Sequence, residues 1–175
     1  MSLKLMAKTI LFSGLVAIGL ALSGCHGKPK TNIEKIDDLI MQVKNVAVLL
    51  NDLEAKDFVT LEKDFMTCDS LLQYQSPEQI DKSFETLQLV QAYLEQFRTT
   101  KSMMRSELDS TLLQLDRLKT DAESHYLSDS LVTAYLENET EFANRLNNQV
   151  LYFQDRFDNC QKDLDVLKKQ KSVWP

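Results

Sequence analysis

The chain has 175 residues, a formal net charge of −6, and 43% hydrophobic against 26% charged residues. Its four Gly are Gly14, Gly19, Gly24 and Gly27, and its three Pro are Pro29, Pro77 and Pro175. Gly and Pro supply most turns, so a short-stranded sandwich or barrel and a Gly-rich nucleotide loop are excluded, and the apolar content excludes a disordered chain.

The chain opens on a basic segment with Lys4 and Lys8, followed by residues 10–22, a stretch of 13 in which only Ser13 is polar. That length suits a secretory signal, because a membrane-spanning helix needs about 20 apolar residues. Leu22-Ser23-Gly24-Cys25 follows, with a large Leu third from the Cys, which disfavours cleavage by the ordinary signal peptidase. The four residues resemble the lipobox of bacterial lipoproteins. The resemblance implies cleavage after Gly24, diacylation of the Cys25 sulfur and acylation of the new amino terminus. Several acyl chains would anchor the protein stably, where one alone holds weakly. In Gram-negative lipoproteins an Asp after the Cys commonly retains the protein in the inner membrane. Here His26 stands there, so the resemblance implies the outer membrane, facing the periplasm because no acidic residue precedes Glu34. Residues 1–24 are thus expected to be a cleaved signal and 25–30 a lipidated tether.

From 31 to 76 there is no Gly or Pro. Ile33, Ile36, Ile40, Val43, Ala47 and Leu50 follow helical spacing, and Leu39, Val46 and Leu53 widen that face as a bundle requires. Phe58, Leu61, Phe65, Cys68 and Leu72 repeat the spacing out of phase. With no breaker residue nearby, the shift at 54–57 is read as a stutter in one helix, with two meeting helices as the alternative. Ser76, Pro77 and Gln79 make a helix start with a capping box. Ile80, Phe84, Leu87, Val90, Leu94 and Phe97 follow on one face, continued by Met104, Leu108, Thr111, Leu115, Leu118 and Ala122 across a polar join at Thr99-Thr100-Lys101-Ser102. Around 126–129, Ser128 or Asp129 can cap a further helix. Its expected apolar face is Leu131, Tyr135, Phe142, Leu146, Val150, Phe153, Phe157, Cys160, Leu164 and Leu167, and Lys168, Lys169 and Lys171 suit its C-terminal dipole.

The expected architecture is all-α: an elongated, coiled-coil-like antiparallel three-helix bundle over 31–172, with helices near 31–75, 77–126 and 128–171 and a tail at 173–175. Short links make successive helices antiparallel, and about 1.5 Å per residue gives a rod of about 65 to 75 Å. Turns near 55 and 100 would instead make a more compact bundle of four or five helices. In the up-down-up arrangement Cys68 lies 37 residues past Thr31 and Cys160 lies 32 past Ser128. That difference is about 7 Å of rise, so a Cys68–Cys160 disulfide is expected, against two buried thiols as the plainer alternative.

No residues are nominated for catalysis, a cofactor or a metal. Asp121, Glu123 and His125 do not share a helix face, and no Gly-x-Ser-x-Gly, His-Glu-x-x-His or paired-Cys motif occurs. Glu137, Glu139 and Glu141, like Asp163 and Asp165, read as solvated faces. Loss of Lys4 and Lys8 with the signal leaves 18 basic against 26 acidic residues, which disfavours nucleic acid as a partner. The five Tyr and eight Phe read mostly as core, and a groove for a partner helix or an unfolded client is the sharper alternative. The expected function is that of a non-enzymatic envelope lipoprotein, held in the membrane by Cys25 and binding another envelope protein or the cell wall. The body has a general likeness to helical cell-wall-binding lipoproteins. A periplasmic holdase-type chaperone and a ligand-binding helical bundle are the alternatives.

Overall fold

A computed structural model of the chain describes residues 30–72 and 77–170. Gly24 and Cys25 lie outside them, as do the Ser76 cap and the 173–175 tail. The described residues form an all-α helical bundle of four helices with no strand: α1 (Asn32–Glu54), α2 (Phe58–Leu71), α3 (Pro77–Glu123) and α4 (Asp129–Gln170).

Thr31 begins α1 with a complete capping box. Its hydroxyl accepts from the Glu34 amide at 3.2 Å, and the Glu34 carboxylate accepts from the Thr31 amide at 2.7 Å. Two of the orphan donors that every helix start carries are thereby satisfied. The expected stutter is a true break: α1 ends at Glu54 and α2 starts at Phe58. Asp57 makes the restart possible without Gly or Pro, because its carboxylate accepts from the Thr60 amide at 2.8 Å and from the Thr60 hydroxyl at 2.6 Å. These bonds hold the Asp57 carboxyl below its usual range.

An aromatic cluster sits beneath the break. The Phe58 ring stacks on Phe97 with centroids 4.0 Å apart and meets Phe157 edge-on at 4.8 Å, while Phe97 meets Phe153 at 5.4 Å. The phase shift read at 54–57 thus swings Phe58 inward over rings from α3 and α4. Tyr93 adds a buried hydrogen bond, its hydroxyl donating to the Phe153 carbonyl at 2.9 Å. Burial pushes the Tyr93 phenol well above its ordinary pKa.

α3 runs through 99–102 without interruption. The Thr99 hydroxyl turns back to the Glu95 and Gln96 carbonyls at 3.1 and 3.0 Å, satisfying itself within the helix and so tolerating a mid-helix position. The helix ends in a Schellman motif: the His125 amide donates to the Ala122 carbonyl at 3.2 Å and the Tyr126 amide to the Asp121 carbonyl at 2.9 Å. His125 takes the left-handed conformation, φ 54°, that Gly usually supplies. Ser128 then receives the Leu131 amide at 3.4 Å as α4 starts.

Polar contacts fix the registers. Between α1–α2 and α4 the numbers rise together: Asn32 with Asp129, Gln154 with the Leu49 carbonyl at 2.9 Å, Lys56 with Asp158, and Asp64 with Lys168 at 2.8 Å. Between α1–α2 and α3 one number falls as the other rises: Asp37 with Lys119 at 2.7 Å, Glu54 with Arg105 at 2.5 Å, and Glu62 with Arg98 at 2.7 Å. Such pairs on the surface add little stability one by one, but here they mark which turns lie level.

The core is a three-four ladder on every helix. On α1 it is Ile36, Leu39, Val43, Val46, Leu50 and Leu53, so the residues expected to widen the face form half of its centre, and Ile40 and Ala47 are only partly buried. On α3 Phe84 is exposed and Ser83 buried in its stead. On α4 the buried row is Val132, Leu136, Ala143, Leu146, Val150, Phe153, Phe157, Cys160, Leu164 and Leu167. The expected core residues Leu131, Tyr135 and Phe142 are instead 49%, 51% and 46% exposed. The buried row continues the three-four row from Leu146 backwards through 143, 136 and 132, which places each bulkier neighbour one position off.

Candidate functional site

Followed from Leu136 to Ala143, the α4 ladder demands a core residue at 139, and that residue is Glu139. It is half-buried, and desolvation holds its carboxyl above the usual carboxylate range. The reading of Glu137, Glu139 and Glu141 as one solvated face is therefore corrected at the middle residue. Across the α3–α4 seam stands Thr111, 6% exposed, also on a ladder position. Thr86, Thr99, Thr120, Thr133 and Thr140 each turn their hydroxyl back to a carbonyl one turn earlier. Among the described residues the Thr111 hydroxyl has no such partner, although a buried hydroxyl left unpaired costs about 1–3 kcal/mol.

Gln114 faces Glu139 across the seam, and with its amide turned so that the NH2 points at the carboxylate it donates to both Glu139 oxygens, at 3.0 and 3.2 Å. Two depressions meet at this pair. One, of about 290 Å³, runs past Ser106, Thr111, Phe142 and Leu146, and the other, of about 330 Å³, past Arg117, Leu118, Leu127 and Tyr135. Together they make a groove between α3 and α4 with a polar centre and aromatic flanks. The Arg145 guanidinium lies over the Phe142 ring, 4.7 Å from its centroid, and 3.9 Å from Glu107. No described Lys, Arg or His forms an ion pair with Glu139.

The field around this groove is acidic. Residues 31–50, 106–123 and 129–146, which the registers place at one end of the bundle, hold twelve acidic against five basic side chains, Arg117 and Arg145 of the groove lining among the five. The remaining described segments hold fourteen against eleven. A half-buried carboxylate in such surroundings favours a cation beside it, and aromatic faces add to that preference.

The other residues singled out in the sequence lie elsewhere. Cys68 and Cys160 are both buried at the opposite end, on α2 and α4. The Cys68 thiol donates to the Leu164 carbonyl at 3.8 Å, one turn from Cys160. Burial pushes the Cys160 thiol up to about 11, so it is protonated near neutral pH, and in this structure both sulfurs are unbonded thiols. Asp121 lines the groove, Glu123 pairs with Lys119 at 3.9 Å, and His125 serves the end of α3. Among the described residues no three His, Cys, Asp or Glu side chains gather as metal ligands would, and no helix is long and apolar enough to cross a membrane.

Sequence reasoning missed Thr111, Gln114 and Glu139 as a group. The signal was present in Glu139, which falls on the three-four spacing between Leu136 and Ala143. The pairing of Gln114 with it depends on a register across two helices that one-dimensional spacing does not carry. No family model, no curated protein and no solved structure matches the chain.

Proposed function

We propose that the protein is a non-enzymatic lipoprotein of the bacterial envelope, held by acyl chains on Cys25 and acting as a helical module that binds another envelope protein. The observation that carries the binding half is the exposed Leu131, Tyr135 and Phe142 row on α4, three large apolar side chains along one face beside the α3–α4 groove. The anchor rests on the Leu22-Ser23-Gly24-Cys25 string and on the start of α1 at Asn32, which leaves only a short tether between lipid and bundle. The bundle is read as an up-down-up rod in which α1 and α2 together form the first arm. The rising α1–α4 numbers and the falling α1–α3 numbers support that reading. A Cys68–Cys160 disulfide in the oxidising envelope belongs to the same proposal, supported by the burial of both sulfurs within a turn of Leu164.

Two experiments test it. Cys25→Ser is expected to move the protein from the membrane fraction to the soluble fraction and to block normal processing, and unchanged fractionation overturns the anchor. Mass mapping under non-reducing conditions is expected to recover a linked Cys68–Cys160 peptide pair, and two thiols in the protein as isolated from cells overturn the disulfide.

A further inference from the structure

The α3–α4 groove holds a half-buried carboxylate at its centre, with Arg117 and Arg145 at its flanks. Glu139 occupies a ladder position opposite Gln114, no described Lys, Arg or His forms an ion pair with it, burial penalises its charged form, and acidic side chains at this end outnumber basic ones by more than two to one. Thr111 adds a buried hydroxyl with an unused hydrogen-bonding capacity in the same wall. Arg145 already lies on Phe142, so that ring takes a guanidinium on its face, and Tyr135 offers a second, half-exposed ring with no described cation over it. The excess of acidic over basic residues here opposes a second copy of the same end, because like charges would face each other across the contact.

We infer that the α3–α4 groove binds a cationic amphipathic helix of a partner protein, with its apolar side against Tyr135, Phe142 and Leu118 and a Lys or Arg reaching Glu139, Gln114 and Thr111. Along α3 the groove runs from Ser106 to Asp121, about 22 Å, the length of a helix of about 15 residues. The mode is helix-in-groove recognition, in which apolar anchors supply affinity and flanking charges supply orientation and encounter rate. This deepens the protein-binding part of the proposed function by naming the face and the chemistry of the partner, and it rests on that part alone. The lipid anchor does not enter.

The test uses the full-length protein in detergent and fluorescein-labelled peptides of about 20 residues, at physiological salt. The first peptide is a Leu/Lys amphipathic helix, the second carries Glu in place of Lys, and the third has the composition of the first in an order that destroys the amphipathic period. Fluorescence anisotropy is expected to show binding of the first, none of the second and at least tenfold weaker binding of the third. Phe142→Ala and Tyr135→Ala, which keep the protein's charge, are each expected to weaken binding of the first peptide about five- to tenfold, and Glu139→Gln by a similar factor. Val48→Ala, on the exposed side of α1, leaves it unchanged. Hydrogen exchange on the wild-type protein is expected to slow over 106–118 and 131–146 when the first peptide is added, which gives a readout free of any folding defect. Equal binding of the first and third peptides, aromatic variants that bind as the wild type does, or exchange protection confined to other segments would each overturn the groove. In those cases a partner crosslinked at another face would still leave the protein-binding reading standing, so the two failures are distinguishable.

Discussion

Thr111 and Glu139 occupy positions where the three-four spacing of their helices would ordinarily put Leu or Val, and the two residues line one depression at the α3–α4 seam. Replacing Glu139 by Leu completes the α4 ladder between Leu136 and Ala143. Because apolar burial replaces a desolvated carboxylate, Glu139→Leu is expected to raise stability in urea by about 1 kcal/mol while weakening peptide binding about five- to tenfold, as Glu139→Gln does. The pH dependence has a definite sign. Burial raises the folded-state pKa of Glu139 above its unfolded value, so the folded state holds that proton more tightly. Its contribution is fully present below the unfolded pKa near 4.5 and is lost as pH rises through the folded value. Denaturation from pH 4 to 7 should therefore show this loss in the wild type and not in Glu139→Leu. Two further residues carry their own tests. Tyr93→Phe removes one buried hydrogen bond to the Phe153 carbonyl and is expected to cost about 1 kcal/mol. His125→Gly relieves a left-handed residue without a function in the groove and is expected to stabilise by up to about 1 kcal/mol, measured in the same urea titrations.

At the scale of elements, the break at 55–57 shows what the sequence could and could not carry. The phase shift after Leu53 was legible, and so was its position, but spacing alone does not separate a stutter from a restart. Asp57 decides it by capping α2 through Thr60, and Phe58 fixes the angle by stacking on Phe97. Those are contacts with a residue three away and one thirty-nine away. α4 gives the complementary case. From Leu146 to Leu167 its core row could be read directly, because large apolar residues occupy each position. Before Leu146 two adjacent rows compete, and the bulkier one, Leu131, Tyr135 and Phe142, loses to Val132, Leu136 and Ala143. Bulk favoured one row and continuity the other, and only the packing of α4 on α1 and α3 chooses between them. The aromatic cluster is the element that holds α1–α2, α3 and α4 together at the break. Phe153→Ala, at a fully buried ring, is expected to cost about 3–5 kcal/mol in urea denaturation. Val59→Ala, 77% exposed on the first turn of α2, is expected to stay within about 0.5 kcal/mol.

The whole molecule divides by charge as well as by chemistry. The end that carries the groove is strongly acidic and is the end at which α1 begins, while the far end is nearly balanced and holds the aromatic cluster and both buried Cys. On the proposed reading, a lipid on Cys25 would confine the module to the layer in which its partner is found. The most direct measurement of this account is site-specific photocrosslinking in intact cells, with a photoreactive residue at 142 in one strain and at 48 in another. The account predicts that position 142 captures one envelope protein through a Lys- and Arg-rich amphipathic segment, that position 48 does not, and that Cys25→Ser abolishes the capture. Capture of that segment from position 48 and not from 142, or unchanged capture in the Cys25→Ser strain, would contradict it.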